Sequence, residues 1–134
     1  MALSREHYEQ VAVVNYIDMR YPGTLYSASA GGMRTNIGTA IKMKAAGYKK
    51  GCPDLMIFEP RNGFKGLFIE MKAPDSKLGK KGQIKPEQQY WNTELKARGY
   101  AAYFCYGSDE AIRVIDNYFA IIKPGPHGAT PETK

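Results

Sequence analysis

The 134-residue chain predicts an α/β fold: a mixed four-stranded sheet flanked by helices. Three observations predict it. Segments of helical periodicity alternate with short runs rich in Leu, Ile, Phe and Met. Two of those runs are apolar on both faces, as central strands are. Between these two lies the turn signal PRNGF, so they form a hairpin. With 43% hydrophobic and 24% charged residues, the composition is that of one ordinary domain able to bury a core without staples.

The elements follow in order. Ser4 can cap a helix running to about Arg20, with Val13, Val14 and Ile17 at helical spacing and Pro22-Gly23 as its stop. Leu25 to Ala28 is a short strand, and Ser29 to Thr35 with Gly31-Gly32 is a loop. Thr39 to Ala46 is a brief helix closed by Gly47. Asp54 to Glu59 and Gly66 to Lys72 are the hairpin strands, and Asp75 to Lys85 is a flexible basic loop. Pro86 suits the first position of a helix reaching Arg98, terminated by Gly99. Tyr100 to Tyr106 is a strand, and Ser108-Asp109-Glu110 opens a last helix through Phe119. Residues 1–122 therefore make the domain, and residues 123–134 (KPGPHGATPETK) make a flexible tail too poor in apolar residues to pack.

The composition also excludes several function classes. No apolar run approaches the roughly 18–20 residues of a membrane span, and the N-terminus MALSREHYEQ lacks signal-peptide regions, which points to the cytoplasm. Cys52 and Cys105 make neither a disulfide framework nor a zinc cluster. The Gly31-Gly32 pair lacks a phosphate-loop lysine and serine, so no nucleotide cofactor is expected. The net charge of +6 is unevenly placed. Between Asp18 and Asp54 there is no carboxylate, while Arg20, Arg34, Lys42, Lys44, Lys49 and Lys50 fall there. From Asp75 to Glu87 an acid-free stretch carries Lys77, Lys80, Lys81 and Lys85. Such clusters suit a polyanion, since each cation near a phosphate releases counterions, and they equally suit a solvated basic surface.

The chemistry is concentrated in Pro53-Asp54, then fifteen residues, then Glu70-Met71-Lys72. In a strand Glu70 and Lys72 share a face and Met71 opposes them. A two-residue Asn62-Gly63 turn would pair positions summing to 125 and place Asp54 opposite Met71. A three-residue Arg61-Asn62-Gly63 turn pairs positions summing to 124 and sets Asp54 against Glu70, with Cβ atoms about 4.5–5.5 Å apart. Paired carboxylates without histidine or cysteine favour Mg²⁺ or Mn²⁺, and Lys72 would stand beside the ion. Glu6 and Gln10 fall on the Val13/Ile17 stripe of the first helix, whereas the competing Glu9 lies off it. Gln88 shares a helical face with Trp91 and Leu95.

Asp54 … Glu70-x-Lys72 has the form of the PD-(D/E)xK nuclease motif. Together with Glu6-x-x-x-Gln10, Gly31-Gly32-Met33-Arg34, Gly47 … Gly51-x-Pro53-Asp54 and Pro86-x-Gln88 … Gly99, it resembles the VRR-NUC (virus-type replication-repair nuclease) family, in its stand-alone phage or bacterial form. One departure is Ala30, where family loops often carry asparagine. The resemblance implies a restriction-endonuclease-like αβββαβ core. It implies that Asp54 and Glu70 ligate Mg²⁺ or Mn²⁺, with the Met71 carbonyl as a third ligand and Glu6 acting directly or through water. Lys72 would be the catalytic lysine, and Gln88 would orient it or the scissile phosphate. It further implies a homodimer that cuts branched DNA, resembling Holliday-junction resolvases in replication, recombination and repair. Arg34, Lys42, Lys44, Lys49 and Lys50 would hold DNA from one side of the site, and Lys77, Lys80, Lys81 and Lys85 from the other. A non-catalytic, structure-selective DNA-binding module is the alternative.

Overall fold

The computed structural model describes residues 3–29, 36–75 and 83–120. Arg34, Lys77, Lys80, Lys81 and the tail from residue 123 lie outside the described residues. Helix α1 spans Arg5–Arg20, with the Ser4 hydroxyl accepting the His7 N–H at 3.1 Å. Strand β1 is Tyr26–Ala28, helix α2 Ile37–Ala45, and strand β2 Leu55–Ile57. Strand β3 is Leu67–Lys72, helix α3 Pro86–Ala97, strand β4 Ala101–Tyr106, and helix α4 Ser108–Phe119. This is the expected order of elements.

The boundaries differ where side chains, not periodicity, end an element. Helix α2 begins two residues before Thr39 because Asn36 caps it, accepting the Thr39 N–H at 2.7 Å. Strand β2 is shorter than Asp54 to Glu59 at both ends. Phe58 turns its N–H to the Leu25 carbonyl at 2.9 Å, and the Glu59 carboxylate accepts the Leu25 N–H at 2.8 Å. Asp54 stands one residue before β2, not within it. Helix α4 begins at Ser108, as expected, but its cap position is Gly107.

The sheet order is β1-β2-β3-β4, antiparallel up to β3 and parallel between β3 and β4, with α3 as the crossover. Helices α1 and α4 cover one face, where Val13, Ile17, Leu55, Ile57, Leu67, Ile69, Met71, Cys105 and Ile115 form the main core. Helix α3 covers the other face through Leu95, against Phe68 and Ala102. All six residues of β3 are buried. Its alternation puts Phe68, Glu70 and Lys72 on the α3 side and Met71 in the main core. Among the described residues no helix is long and apolar enough to cross a membrane.

The hairpin has the expected register but a different turn. Leu55 pairs with Ile69, a sum of 124. The turn itself contains two residues, not three. Asn62 and Gly63 have φ of 51° and 85°, and Arg61 and Phe64 exchange hydrogen bonds of 3.1 and 2.7 Å across them. Two consecutive positive φ values define a type I′ turn, which Asn-Gly favours. That turn alone would impose the sum of 125. An extra residue on the first arm corrects it: residues 58–60 face only residues 65 and 66 between the turn and the ladder. Pro60, with no N–H to donate, lies in this bulged arm.

Ile69 is fully buried at the centre of both the sheet and the main core. Ile69→Ala is expected to lower the unfolding free energy by about 2–5 kcal/mol, read from denaturant titration with an unchanged m-value.

Candidate active site

The site forms where β2 stops and β3 continues. The Asp54 carbonyl accepts the Ser29 N–H at 2.8 Å, fixing this bend to the end of β1. Beyond Leu55 there is no β2 residue in the ladder to pair with β3. The Asp54 carboxylate takes the exposed donor instead, its Oδ2 accepting the Met71 N–H at 2.8 Å. An extended residue points its N–H and C=O to the same side of its strand. The Met71 carbonyl therefore turns toward Asp54, while the Lys72 carbonyl turns the other way and accepts the Gly107 N–H at 2.9 Å.

Glu70 hydrogen-bonds the Asp54 carboxyl and is only 8% exposed. Burial pushes Glu70 up to about 9, and the neighbouring Asp54 charge adds to the shift. Burial also raises Asp54, against the opposing pull of the Met71 N–H. Glu6 raises both, and Lys72 opposes both. Two neighbouring carboxyls, Glu70 buried and Asp54 half-buried, disfavour each other's ionisation, so both are shifted upward.

Gln88 ties this pair to Lys72. Its Oε1 accepts from Lys72 Nζ at 2.8 Å and from the Lys85 N–H at 3.0 Å, while its Nε2 donates to Glu70 Oε2 at 3.0 Å. Gln88 is the third residue of α3, where a glutamine side chain reaches back to the cap residue's N–H. One amide thus starts a helix and positions two site residues. Lys72, 4% exposed, also donates to the Gln83 carbonyl at 3.2 Å. Among the described residues its hydrogen-bond acceptors are neutral oxygens, and Gln88 bridges it to Glu70. Gly51 makes this meeting possible. With φ of 96°, it lies so close to α3 that a Cβ there would sit 2.6 Å from the Glu87 carbonyl oxygen.

The two acids of α1 separate. Glu9 caps α4, accepting the Ser108 N–H at 2.6 Å and pairing with Arg5 at 3.1 Å. Glu6 instead faces the site. It lines one cavity of about 520 Å³ with Glu70, Lys72 and Gln88, and another of about 250 Å³ with His7, Gln10 and Asp54. Among the described residues no cluster of three or more carboxylate, histidine or cysteine side chains closes on one point. Asp54 and Glu70 are therefore the close pair, and Glu6 stands back from it. Two carboxylates and a backbone carbonyl are hard oxygen donors that fit a divalent cation, whose charge would offset the repulsion between the two acids.

The basic residues divide. Lys50 and Lys85 line a cavity of about 110 Å³ with Asp54, Glu70 and Gln88. Lys50 also pairs with Glu87 at 3.5 Å. Lys49 lies beside a separate cavity on α3, and Lys42 and Lys44 are exposed in the last turn of α2. His7, Tyr48 and Gln83 are among the lining residues that sequence reasoning did not assign to the site. Gln83 acts through its backbone carbonyl, so its side-chain identity carries no signal. Tyr48, whose hydroxyl is pushed up chiefly by burial, faces Asp54 and Glu70 only because Gly51 folds its loop inward.

The model of the VRR-NUC domain matches residues 7–109. The chain belongs to the VRR-NUC domain family. A solved structure named as a VRR_NUC domain protein is 26% identical, with a TM-score of 0.72, covering 90% of this chain and 93% of that one. A second, named as a VRR_NUC domain, is 17% identical with a TM-score of 0.55, covering 87% and 100%, and shows the shared fold. No curated protein matches. The span matched to the VRR-NUC domain contains Asp54, Glu70, Lys72 and Gln88 and begins one residue after Glu6.

A folded carboxyl raised from its ordinary 4.5 to about 9 holds its proton more tightly than the unfolded chain does. Its contribution to stability is complete below the unfolded value and is lost as pH rises through the folded one. Thermal melts in EDTA are expected to show Tm falling from mildly acidic pH toward pH 9, with Glu70→Gln flattening that slope.

Proposed function

We propose that this VRR-NUC chain is a Mg²⁺- or Mn²⁺-dependent, structure-specific DNA endonuclease that hydrolyses phosphodiester bonds in branched DNA. The observation that carries the reading is the Asp54–Glu70 pair, with Glu70 buried, Asp54 half-buried and the Lys72 ammonium held one Gln88 amide away. Asp54, Glu70 and the Met71 carbonyl would hold the ion, and Glu6 would reach it through water. Bound there, a divalent cation supplies Lewis-acid polarisation of the scissile phosphate and lowers the pKa of a water.

This chain's own residues do the rest. Lys72, restrained by Gln88 and Gln83, presents a cation where charge develops on the phosphate oxygens. Gln88 engages that cation and Glu70 through the two ends of one amide, which fixes their relative positions. Lys50 and Lys85, at the mouth of the same cavity, suit the flanking phosphates. Such contacts read backbone shape and not base sequence. Two symmetric cuts at a branch require two sites, so the working form is taken to be a homodimer, tested by light-scattering mass.

On duplex, flap and four-way-junction DNA, cleavage is expected to need Mg²⁺ or Mn²⁺ and to stop in EDTA. Glu70→Ala and Lys72→Ala should each cost about 10²-fold or more in rate, and Gln88→Ala about 10–100-fold. Wild type that binds these DNAs without ever cutting them would be a binding module instead.

A further inference from the structure

We propose that the cavity beside Trp91 receives an unpaired base of the DNA substrate, a reading that rests on the nuclease assignment above. Gln88 and Trp91 lie three residues apart on α3, so the face that meets the acid pair continues into Trp91 and Leu95. The Trp91 indole N–H donates to the Lys50 carbonyl at 3.1 Å, and its ring packs on the Phe68, Leu95 and Ala102 cluster. The indole is thereby held in place as one wall of a cavity of about 530 Å³, a size usual for small-molecule sites. Tyr90, 64% exposed, supplies a second aromatic surface.

The rim decides the occupant. Lys49, Lys50 and Arg98 line it; Glu94 pairs with Arg98 and Glu87 with Lys50, which leaves an excess of one positive charge. Aromatic and aliphatic walls under a cationic rim suit a flat π-system attached to phosphates, that is, a nucleotide. An apolar peptide would gain nothing from this positive excess. Lys50 lines both this cavity and the one holding Asp54 and Glu70, so the two are neighbours along one DNA path. A base in intact duplex keeps both faces stacked and cannot enter, whereas a flap or junction offers an unstacked one. Capture of that base supplies a physical source of preference for branched DNA.

Trp91 is the only tryptophan in the chain, so its emission reports this cavity directly. The full-length protein in EDTA would be titrated with branched DNA carrying an unpaired thymine at the branch, and with the same DNA carrying an abasic residue there. The thymine form is expected to quench Trp91 and to bind about tenfold more tightly. Tyr90→Ala should shrink that ratio, while Lys49→Ala weakens both DNAs alike. Equal quenching and equal affinity for the two DNAs would overturn the proposal, as would a ratio untouched by Tyr90→Ala. Cleavage in Mg²⁺ is scored separately. Cutting without base discrimination removes the base site and leaves the nuclease reading. Base discrimination without cutting supports the base site and removes the nuclease reading.

Discussion

Half-buried Asp54 and buried Glu70 are held side by side where β2 stops and β3 runs on. Like charges opposed across a ladder repel, and burial raises the cost further. The site tolerates this because each carboxyl has a donor of its own, the Met71 N–H for Asp54 and the Gln88 amide for Glu70. Shift the register by one residue and Asp54 would face Met71, whose side chain belongs to the apolar core. Every other feature of the site presupposes that this slip does not occur.

The register is protected by two opposing local choices. The Asn62-Gly63 turn, taken alone, sets the wrong sum, and the extra residue in the Phe58–Pro60 arm restores the right one. What stabilises the combination lies elsewhere. Leu55, Ile57, Leu67 and Ile69 are all fully buried against α1 and α4, and any slip would turn this set outward. Hydrophobic burial on one face of the sheet thus maintains an electrostatically unfavourable arrangement on the other. The ionisable groups gather on the α3 side, at the end of the sheet where polar helix starts from α1 and α3 replace apolar cover.

Helix starts do much of the positioning. Gln88 closes the first turn of α3 and bridges Glu70 to Lys72 with the same amide. Glu9 joins α1 to the first turn of α4, leaving Glu6 to face the cavities. On α1 a structural acid and a site-facing acid sit three residues apart, about 60° around the helix. At Gly51 the requirement is steric: only a residue without Cβ lets the Tyr48–Asp54 loop cross α3 closely enough to bring both halves together.

Element order, the central hairpin, the apolar stripes and the identity of the charged residues were determined by sequence alone, because period 3.6, period 2 and glycine or proline stops are local properties of the chain. The pattern also located Asp54 opposite Glu70, although through a three-residue turn that does not form. The compensating bulge could not be read locally, since it depends on how Phe58 and Glu59 leave the ladder to pair with Leu25. Tertiary structure likewise decided the raised proton affinity of Glu70, the bridging amide of Gln88, the backbone role of Gln83 and the cavity beside Trp91. Each arises from groups distant in the chain that become neighbours only after the sheet and α3 are packed, and burial and hydrogen-bond geometry come into being with that packing.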